Sequence, residues 1–374
     1  MFDDIRPYYD SEIPSAMRRI TESEAFPLIS SYIYPMETVE AVRQRVLACR
    51  TIAEFQRGIM HAVNDRIISN SISEFSCNGL GRLDKSGSYL YISNHRDIML
   101  DASLLQNCLV DNGFDTSEIT FGANLMMSPT IIDIGKSNKM FRVERPGGSA
   151  RDFYKKSKHL SCYIRHTITE KKQSVWIAQR NGRTKDGNDT TDQGLIKMLR
   201  MSRPEGNTGG LDQLNIVPVA ISYEWETCDV LKTVELYESR STSYVKKPGE
   251  DLNSILNGVT QHKGSVHIEV CEPIRYEELA ANTSKPTSSF NQAVASLIDS
   301  RIIAAYRLYP NNYIAYDIKY GSPKYTDYYT EEQQEAFTER MDSLGAYADA
   351  CDVDVLRDIF VGIYANPVKA KETL

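Results

Sequence analysis

The segment YISNHRDIMLDAS, residues 91–103, places a histidine, an arginine and two aspartates directly after an apolar run. A protein kinase catalytic loop reads H-R-D-x-x-x-x-N and needs a metal-binding Asn at the position that Ala102 occupies here. Alanine offers no oxygen ligand, and no D-F-G sequence follows the histidine. The sequence therefore excludes a kinase loop, and the chemistry of His95 has to come from another arrangement.

The elements around this segment alternate between short apolar strands and helical stretches. The predicted strands are 88–93, 174–179, 215–223 and 265–270. Helices are predicted between them, over 101–110 and 150–172. Such alternation is typical of an α/β fold, in which a mixed sheet is flanked by helices on both faces. His95 and the two aspartates would then lie where the first of these strands gives way to a helix.

The two ends of the chain have a different pattern. Apolar residues recur at intervals of mostly three and four between 38 and 68, which predicts helices. Near the C-terminus, Thr330 and Gln333 have the spacing of a capping box that opens a further helix. We therefore divide the chain into an N-terminal helical region (1–84), an α/β core (85–280) and a C-terminal helical region (281–374).

The composition is that of a folded protein, with 374 residues, 41% hydrophobic and 25% charged. Its seven cysteines are far apart and never form C-x-x-C, which argues against a disulfide framework and a zinc knuckle. No apolar window approaches the roughly 18 residues of a membrane span, and the first residues do not resemble a signal peptide. We expect a cytoplasmic protein, or one that lies peripherally on the inner face of the cell membrane.

The net charge of −7 conceals a basic segment between residues 135 and 185. This segment contains fourteen Lys and Arg against three acidic residues, which gives it a net charge of +11. A basic segment in an acidic protein indicates an anionic partner, such as a phosphorylated substrate, an acidic carrier protein, an anionic membrane or nucleic acid. A solvated helix face is the simpler alternative.

Several motifs follow one another along the predicted core. NHRDIMLD comes first, then KMFRVER, then VWIAQRNGRTKDG, then IVPVAISYE, and GSVHIEVCEPI closes the series. In this order they resemble the sequence blocks of the glycerolipid acyltransferases, the glycerol-3-phosphate and lysophosphatidic acid acyltransferase family. Those blocks are N-H-x-x-x-x-D, an apolar run ending in arginine, F-P-E-G-x-R-S-R, and a strand containing V-P-V. The resemblance covers about residues 85–275.

The resemblance implies a glycerolipid-acyltransferase-like mixed sheet and a reaction that moves a fatty acyl group from a thioester to a hydroxyl. His95 would act as the general base, because a base near neutrality must take the hydroxyl proton. A carboxylate on the other ring nitrogen would orient the imidazole, and no acyl-enzyme is needed because the acceptor attacks directly. We assign that carboxylate to Asp101 and place Asp97 at the helix N-cap, with Asp97 as the alternative orienting acid.

The resemblance also implies a site for the acceptor phosphate and a set of further motif residues. The candidates for phosphate binding are Arg142, Arg145, Arg183 and Lys185. The further motif residues are Asn94, Gln179 and Pro218, and the proline is expected at the end or edge of a strand. Neither a metal nor a bound cofactor is required, and acyl-CoA or acyl carrier protein would be the co-substrate.

Three departures from the family pattern indicate a divergent branch. Five residues separate His95 from Asp101 where the family has four. In the third block Gln179 takes the place of a glutamate and the arginines are displaced by one position. In the second block Arg142 replaces an apolar residue. These changes leave the acceptor open between glycerol-3-phosphate and a lysophospholipid.

Two other functions remain open on the sequence. A metal-dependent hydrolase could use His95, Asp97 and Asp101 as ligands. Alternatively, a nucleic-acid-binding protein could use the basic segment 135–185. Aromatic residues are few in that segment, beyond Phe141, Phe153 and Tyr154, and the rest of the chain is acidic. We therefore favour the acyltransferase and expect no nucleic acid among the partners.

Overall fold

The computed structural model describes residues 2–144, 149–203, 208–241, 244, 247 and 249–374. Seven strands form one sheet: β1 Glu74–Asn78, β2 Leu90–Ser93, β3 Glu118–Gly122, β4 Met140–Val143, β5 Val175–Ala178, β6 Ile216–Tyr223 and β7 Ser265–Val270. Their order across the sheet is β1-β7-β6-β2-β5-β3-β4. Only the β6–β7 pair is antiparallel. The predicted α/β class, with a mixed sheet flanked by helices, is confirmed.

Sixteen α-helices lie within the described residues. They are α1 Ile13–Glu22, α2 Phe26–Ile33, α3 Val39–Ala48, α4 Ile52–Phe55, α5 His61–Ser71, α6 Leu100–Asp111, α7 Pro129–Ser137, α8 Ala150–Thr169, α9 Gln193–Leu199, α10 Asp229–Glu238, α11 Glu250–Thr260, α12 Tyr276–Ala280, α13 Thr287–Ala305, α14 Pro310–Tyr320, α15 Glu331–Asp342 and α16 Val353–Glu372. A π-helical turn, Gln56–Met60, joins α4 to α5.

The central strands carry apolar side chains on both faces because helices cover both faces of the sheet. Leu90 and Ile92 of β2 belong to the core shared with α8, α9 and α13. Tyr91, between them, belongs to the core on the opposite face, shared with α5 and α6. This alternation follows from the two-residue period of a strand. As a result β2 is completely buried, and the residues that follow it have a rigid support.

The N- and C-terminal regions add separate apolar clusters to this core. Helices α1 and α3 pack with Phe55 and Ile59 in one cluster. Helices α14, α15 and α16 form another, which also contacts Trp225 and the α10 residues Val230 and Val234. The predicted capping box is present, since Thr330 Oγ1 accepts a hydrogen bond from the backbone of Gln333. The C-terminal helices therefore lie against the segment that follows β6.

Two sequence predictions about local structure were wrong. Residues 74–78, predicted as part of a helical region, form β1, a short edge strand paired with β7. Pro218 lies inside β6, an interior strand, rather than at an end or edge. Pro218 faces Cys271, the first residue after β7, whose N–H donates to Pro218 O at 2.9 Å. Proline has no N–H to return this bond, and the β6–β7 ladder ends here.

Candidate active site

The loop between β2 and α6 is fixed where it leaves the sheet. Asn94, just beyond the strand, accepts a hydrogen bond from Ile221 N at 2.8 Å and donates to Ile221 O at 2.9 Å. Its side chain thus pairs with β6 much as a backbone residue would. Asn94 is fully buried, so the position of the next residue, His95, is set by the central strands.

His95 contacts Asp101 at the start of α6. Its Nδ1 lies 2.8 Å from Asp101 Oδ2, and the histidine side chain is 15% exposed while the aspartate is completely buried. The imidazole also packs against Trp176 of β5, edge to face, with 5.7 Å between ring centroids. With Nδ1 directed at the carboxylate, Nε2 is the ring nitrogen that can accept a proton.

Asp101 receives hydrogen bonds from several directions. Besides the imidazole, its Oδ2 accepts Arg96 N at 2.6 Å and Asp97 N at 2.9 Å. Its Oδ1 accepts the hydroxyl of Tyr223, the last residue of β6, at 2.8 Å. Burial, followed by the nearby Asp101 charge, raises the pKa of Tyr223 well above its ordinary value, so this hydroxyl stays protonated as a donor. The four donors hold the carboxylate rigidly toward His95.

Asp97 was predicted at the N-cap of α6, but the N-cap residue is Met99, two positions later. The Asp97 side chain nevertheless reaches the first backbone groups of the helix. Its Oδ1 accepts Met99 N and Leu100 N, both at 2.9 Å, which satisfies backbone groups at the start of α6. Its Oδ2 is buried without a hydrogen-bond partner and lies against Gly258 of α11. A Cβ at Gly258 would come within 2.2 Å of this oxygen, so only glycine permits the close approach. The structure places Asp101, and not Asp97, against the imidazole.

Arg96 points away from the solvent into a buried group of charges. Its guanidinium lies 2.5 Å from Asp189 and 3.2 Å from Glu226, and the residue is 1% exposed. Burial opposes the charge, but the carboxylate of Asp189, together with Tyr306 and Glu226, holds the pKa of Arg96 well above its ordinary value. Lys232 Nζ donates to Arg96 O at 2.6 Å and lies 2.5 Å from Glu226. Arg96 thus anchors the loop instead of contacting a substrate.

Arg183 is the phosphate-binding candidate that lies next to the loop. The following residue, Thr184, donates its N–H to His95 O at 2.7 Å. The Arg183 side chain donates to Ser254 Oγ at 3.0 Å, and its NH1 is buried without a partner. No carboxylate among the described residues is within salt-bridge distance of it. Gly182, at φ +72°, supplies the left-handed turn that precedes it.

A cavity of about 350 Å³ lies beside Arg183, between α10 and α11. Its wall includes apolar residues, with Leu231 and Val234 on α10 and Tyr347 from the C-terminal region. Ser254 contributes a hydroxyl, and three glutamates, Glu235, Glu238 and Glu250, also line the wall. Within this partly acidic wall, the unpaired NH1 of Arg183 is a donor suited to an oxyanion.

The other phosphate-binding candidates have different positions. Lys185 forms an ion pair with Glu235. Arg142 is 45% exposed on β4 and pairs with Glu144 at 2.6 Å. Three strand spacings separate β4 from β2, about 14 Å. Arg145 lies outside the described residues. Among the described candidates, the structure brings only Arg183 and Lys185 onto the turn beside His95.

Gln179 follows β5 and is completely buried, and neither polar atom of its side chain has a hydrogen-bond partner. Its backbone continues the sheet, since Gln179 N donates to Ser93 O at 2.8 Å. An unsatisfied buried amide is costly, which marks this position as one where a bound group or water would be favourable.

The basic segment is less available than its net charge indicates. Lys171 pairs with Glu118, and Arg165 donates to the backbone oxygen of Gly210 at 2.8 Å. The exposed basic residues include those of the first half of α8, where Arg151, Lys155 and Lys158 lie beside the half-exposed Tyr154.

The described residues give little support to a metal site. They contain no group of three His, Cys, Asp or Glu side chains arranged to hold a metal ion. In the proposed ligand set, Asp101 already accepts four hydrogen bonds and Asp97 Oδ1 accepts two.

None of the helices in the described part of the chain combines the length and apolarity needed to cross a membrane.

The sequence did not identify Tyr223, Asp189 or Glu226 as neighbours of His95. Tyr223 ends the predicted strand 215–223, which is the one signal that could have marked it. Asp189 lies in a polar turn, DGNDTTDQG, which contains three aspartates. Nothing in the sequence of this turn indicates which of the three contacts the loop after β2. Their roles depend on which strands are adjacent.

No protein-family model matches this sequence, and no curated protein matches it. Among solved structures, the chain is similar to the crystal structure of the 1-acyl-sn-glycerophosphate (LPA) acyltransferase PlsC from Thermotoga maritima. The sequence identity is 11%, the TM-score is 0.35, and the similarity covers 77% of this chain and 95% of that chain. A similarity of this degree does not define the reaction, which depends on the geometry of the site.

Proposed function

We propose that the protein is an O-acyltransferase, which moves a fatty acyl group from a thioester to the hydroxyl of glycerol-3-phosphate or a lysophospholipid. The observation that carries this proposal is the 2.8 Å contact between His95 Nδ1 and the buried Asp101, at the carboxyl ends of the parallel strands. It supports a histidine general base with a free Nε2. The order of the sequence motifs around this pair supports the choice of acyl transfer.

In the proposed reaction the acceptor hydroxyl oxygen attacks the thioester carbonyl carbon while His95 Nε2 takes the hydroxyl proton. Asp101 stabilises the resulting imidazolium through Nδ1. Collapse of the tetrahedral intermediate breaks the carbon–sulfur bond, and the imidazolium returns its proton to the departing thiolate. The base is then regenerated, and no residue of the protein is acylated.

We propose that Arg183 contacts the acceptor phosphate. Its guanidinium is not neutralised by a described carboxylate, it borders a cavity of about 350 Å³, and its neighbour Thr184 is bonded to His95. A phosphate held there would lie on the same turn that supports the base. Arg145, outside the described residues, stays a second candidate.

The donor would be acyl-CoA or acyl carrier protein, with no metal or bound cofactor. We further propose that the exposed basic and aromatic residues of α8, among them Arg151, Phe153 and Tyr154, bind an anionic partner. Either an anionic membrane surface or an acidic acyl carrier protein would suit this surface, because basic side chains beside aromatic rings favour anionic interfaces.

Mass spectrometry of reaction mixtures tests the function. Purified protein is incubated with acyl-CoA or acyl carrier protein thioesters and with glycerol-3-phosphate, lysophosphatidic acid or lyso-aminolipid acceptors. We expect an ester product that is absent with His95→Ala. If no acceptor is acylated and a metal-dependent hydrolysis that a chelator abolishes is found instead, the metal-dependent hydrolase replaces this proposal.

A further inference from the structure

The two residues on either side of His95 reach the same carboxylate oxygen. Asn94 Nδ2 donates to Asp189 Oδ2 at 3.1 Å, and Arg96 donates to that oxygen through NH2 at 2.5 Å. The Asp189 side chain is 6% exposed, so these bonds are largely shielded from water. Charge-assisted hydrogen bonds are short and strong in such surroundings. Asp189 therefore restrains the main chain on both sides of the imidazole.

The second oxygen of Asp189 connects the same carboxylate to the Arg183 turn. Thr184 Oγ1 donates to Asp189 Oδ1 at 3.1 Å, while the backbone N–H of Thr184 donates to His95 O at 2.7 Å. The contacts thus form a closed ring. Asp189 contacts Thr184, Thr184 contacts His95, and the two neighbours of His95 contact Asp189 again. Arg183, adjacent to Thr184, is carried by this arrangement.

We propose that Asp189 is a positioning residue, which holds His95 and Arg183 in one fixed relation. The inference rests on the proposed function for its kinetic consequence, but the restraint itself concerns only the geometry of the chain. Asparagine cannot replace the carboxylate fully. Asp189 accepts three side-chain donors on two oxygens, whereas an asparagine offers one oxygen and no charge to Arg96. Glu226 alone would then balance the buried guanidinium.

Asp189→Asn tests this proposal, with Asp229→Asn as the matched control. Asp229 is also buried and also pairs with an arginine, Arg340, at 2.5 Å, but it contacts neither neighbour of His95. We expect Asp189→Asn to lower kcat by about 10- to 100-fold, since a small displacement of a reacting group has effects of this order. The KM for the phosphorylated acceptor should rise as well, because Arg183 is released. Asp229→Asn should lower the melting temperature and leave both constants within about two-fold.

A proton NMR readout makes the test independent of turnover. The Nδ1–H proton of His95, hydrogen-bonded to Asp101, should give a downfield signal that disappears in His95→Asn. We expect this signal to broaden or vanish in Asp189→Asn and to persist in Asp229→Asn. Thr184→Val provides a milder variant, which keeps the backbone bond to His95 and should lower kcat by about 3- to 10-fold.

An unchanged signal and unchanged kinetics in a folded Asp189→Asn protein would overturn the positioning role. Equal losses in Asp189→Asn and Asp229→Asn, at equal melting temperatures, would also overturn it, because the effect would then be one of general stability. If the wild-type protein acylates nothing while the signal still depends on Asp189, the proposed function fails and the positioning role stands.

Discussion

The loop after β2 and the first half of α8 both contain several charged residues, but the two regions handle charge in opposite ways. In the loop, Arg96, Asp97 and Asp101 are almost completely buried, and their side chains are hydrogen-bonded to fixed partners. In α8, Lys155 and Lys158 are exposed to solvent. Removing one member of a buried hydrogen-bonded set costs about 1–3 kcal/mol, whereas exposed ion pairs contribute about 0–1 kcal/mol.

The buried charges therefore set the positions of atoms, whereas the exposed charges attract a binding partner. Buried charged side chains hold the neighbouring main chain in one arrangement, because moving them would break hydrogen bonds that water does not replace there. Exposed charges attract a partner over a distance and are screened by salt. Substitutions in the loop should therefore change the reaction, and substitutions in α8 should change only where the protein binds.

The largest effects are expected at the imidazole and its carboxylate. His95→Ala and Asp101→Asn should each lower kcat by two or more orders of magnitude, since general base catalysis contributes roughly 10²- to 10⁴-fold. Both variants should keep the wild-type circular dichroism spectrum. Steady-state kinetics on the acceptor identified by mass spectrometry provide the measurement. Full activity of a folded Asp101→Asn variant would contradict the proposed orienting role.

The next largest effect is expected at Arg183. Arg183→Ala should raise the KM for a phosphorylated acceptor about 10- to 100-fold, because a charge-assisted bond to phosphate contributes about 1.5–3 kcal/mol. The KM for the thioester should stay within about two-fold. Arg142→Ala, which removes an exposed pair about 14 Å from β2, serves as the comparison and should change neither constant appreciably. A larger effect at Arg142 than at Arg183 would move the phosphate site to β4.

A smaller effect is expected at Asp97, where stability and activity should separate. Asp97→Ala removes the acceptor of two backbone hydrogen bonds at the start of α6 and should lower the free energy of unfolding by about 1 kcal/mol. The kcat should fall by less than about three-fold. Asp97→Asn retains an oxygen in the capping position and should stay closer to wild type. Chemical denaturation and kinetics on the same samples decide the point. If Asp97→Asn abolishes turnover while Asp101→Asn is active, the orienting acid is Asp97.

The smallest effect is expected on the surface of α8. Lys155→Glu and Lys158→Glu should each weaken binding to anionic vesicles by about 1 kcal/mol per basic residue, and salt should weaken binding further. Turnover of a water-soluble acceptor should not change. Lys85→Glu, on an exposed lysine before β2 at the opposite end of the strands, is the matched control. Vesicle sedimentation gives the affinities, and indifference to lipid charge would leave α8 as an ordinary surface helix.

The strands that the sequence located are the buried ones. Predicted strands 88–93, 174–179, 215–223 and 265–270 correspond to β2, β5, β6 and β7, because continuous burial requires continuous apolar runs. The strands outside these four runs, β1, β3 and β4, are only partly buried, so their residues carry a weaker apolar signal. Pro218 was placed at a strand end by its missing N–H alone, and its actual place depends on where a neighbouring strand stops.

The sequence alone predicted that His95, Asp97 and Asp101 lie close together. These seven consecutive residues connect a strand to a helix, and such a short connection has few possible conformations. It could not identify the partners that fix them. Tyr223 is 122 residues from Asp101 and Asp189 is 93 residues from Arg96, and neither belongs to a repeating pattern. They meet because β6 lies beside β2 and because the turn after β5 returns to the same edge of the sheet. The local sequence therefore determined which reactive groups are present, while the order of the strands decided which distant residues hold them in place.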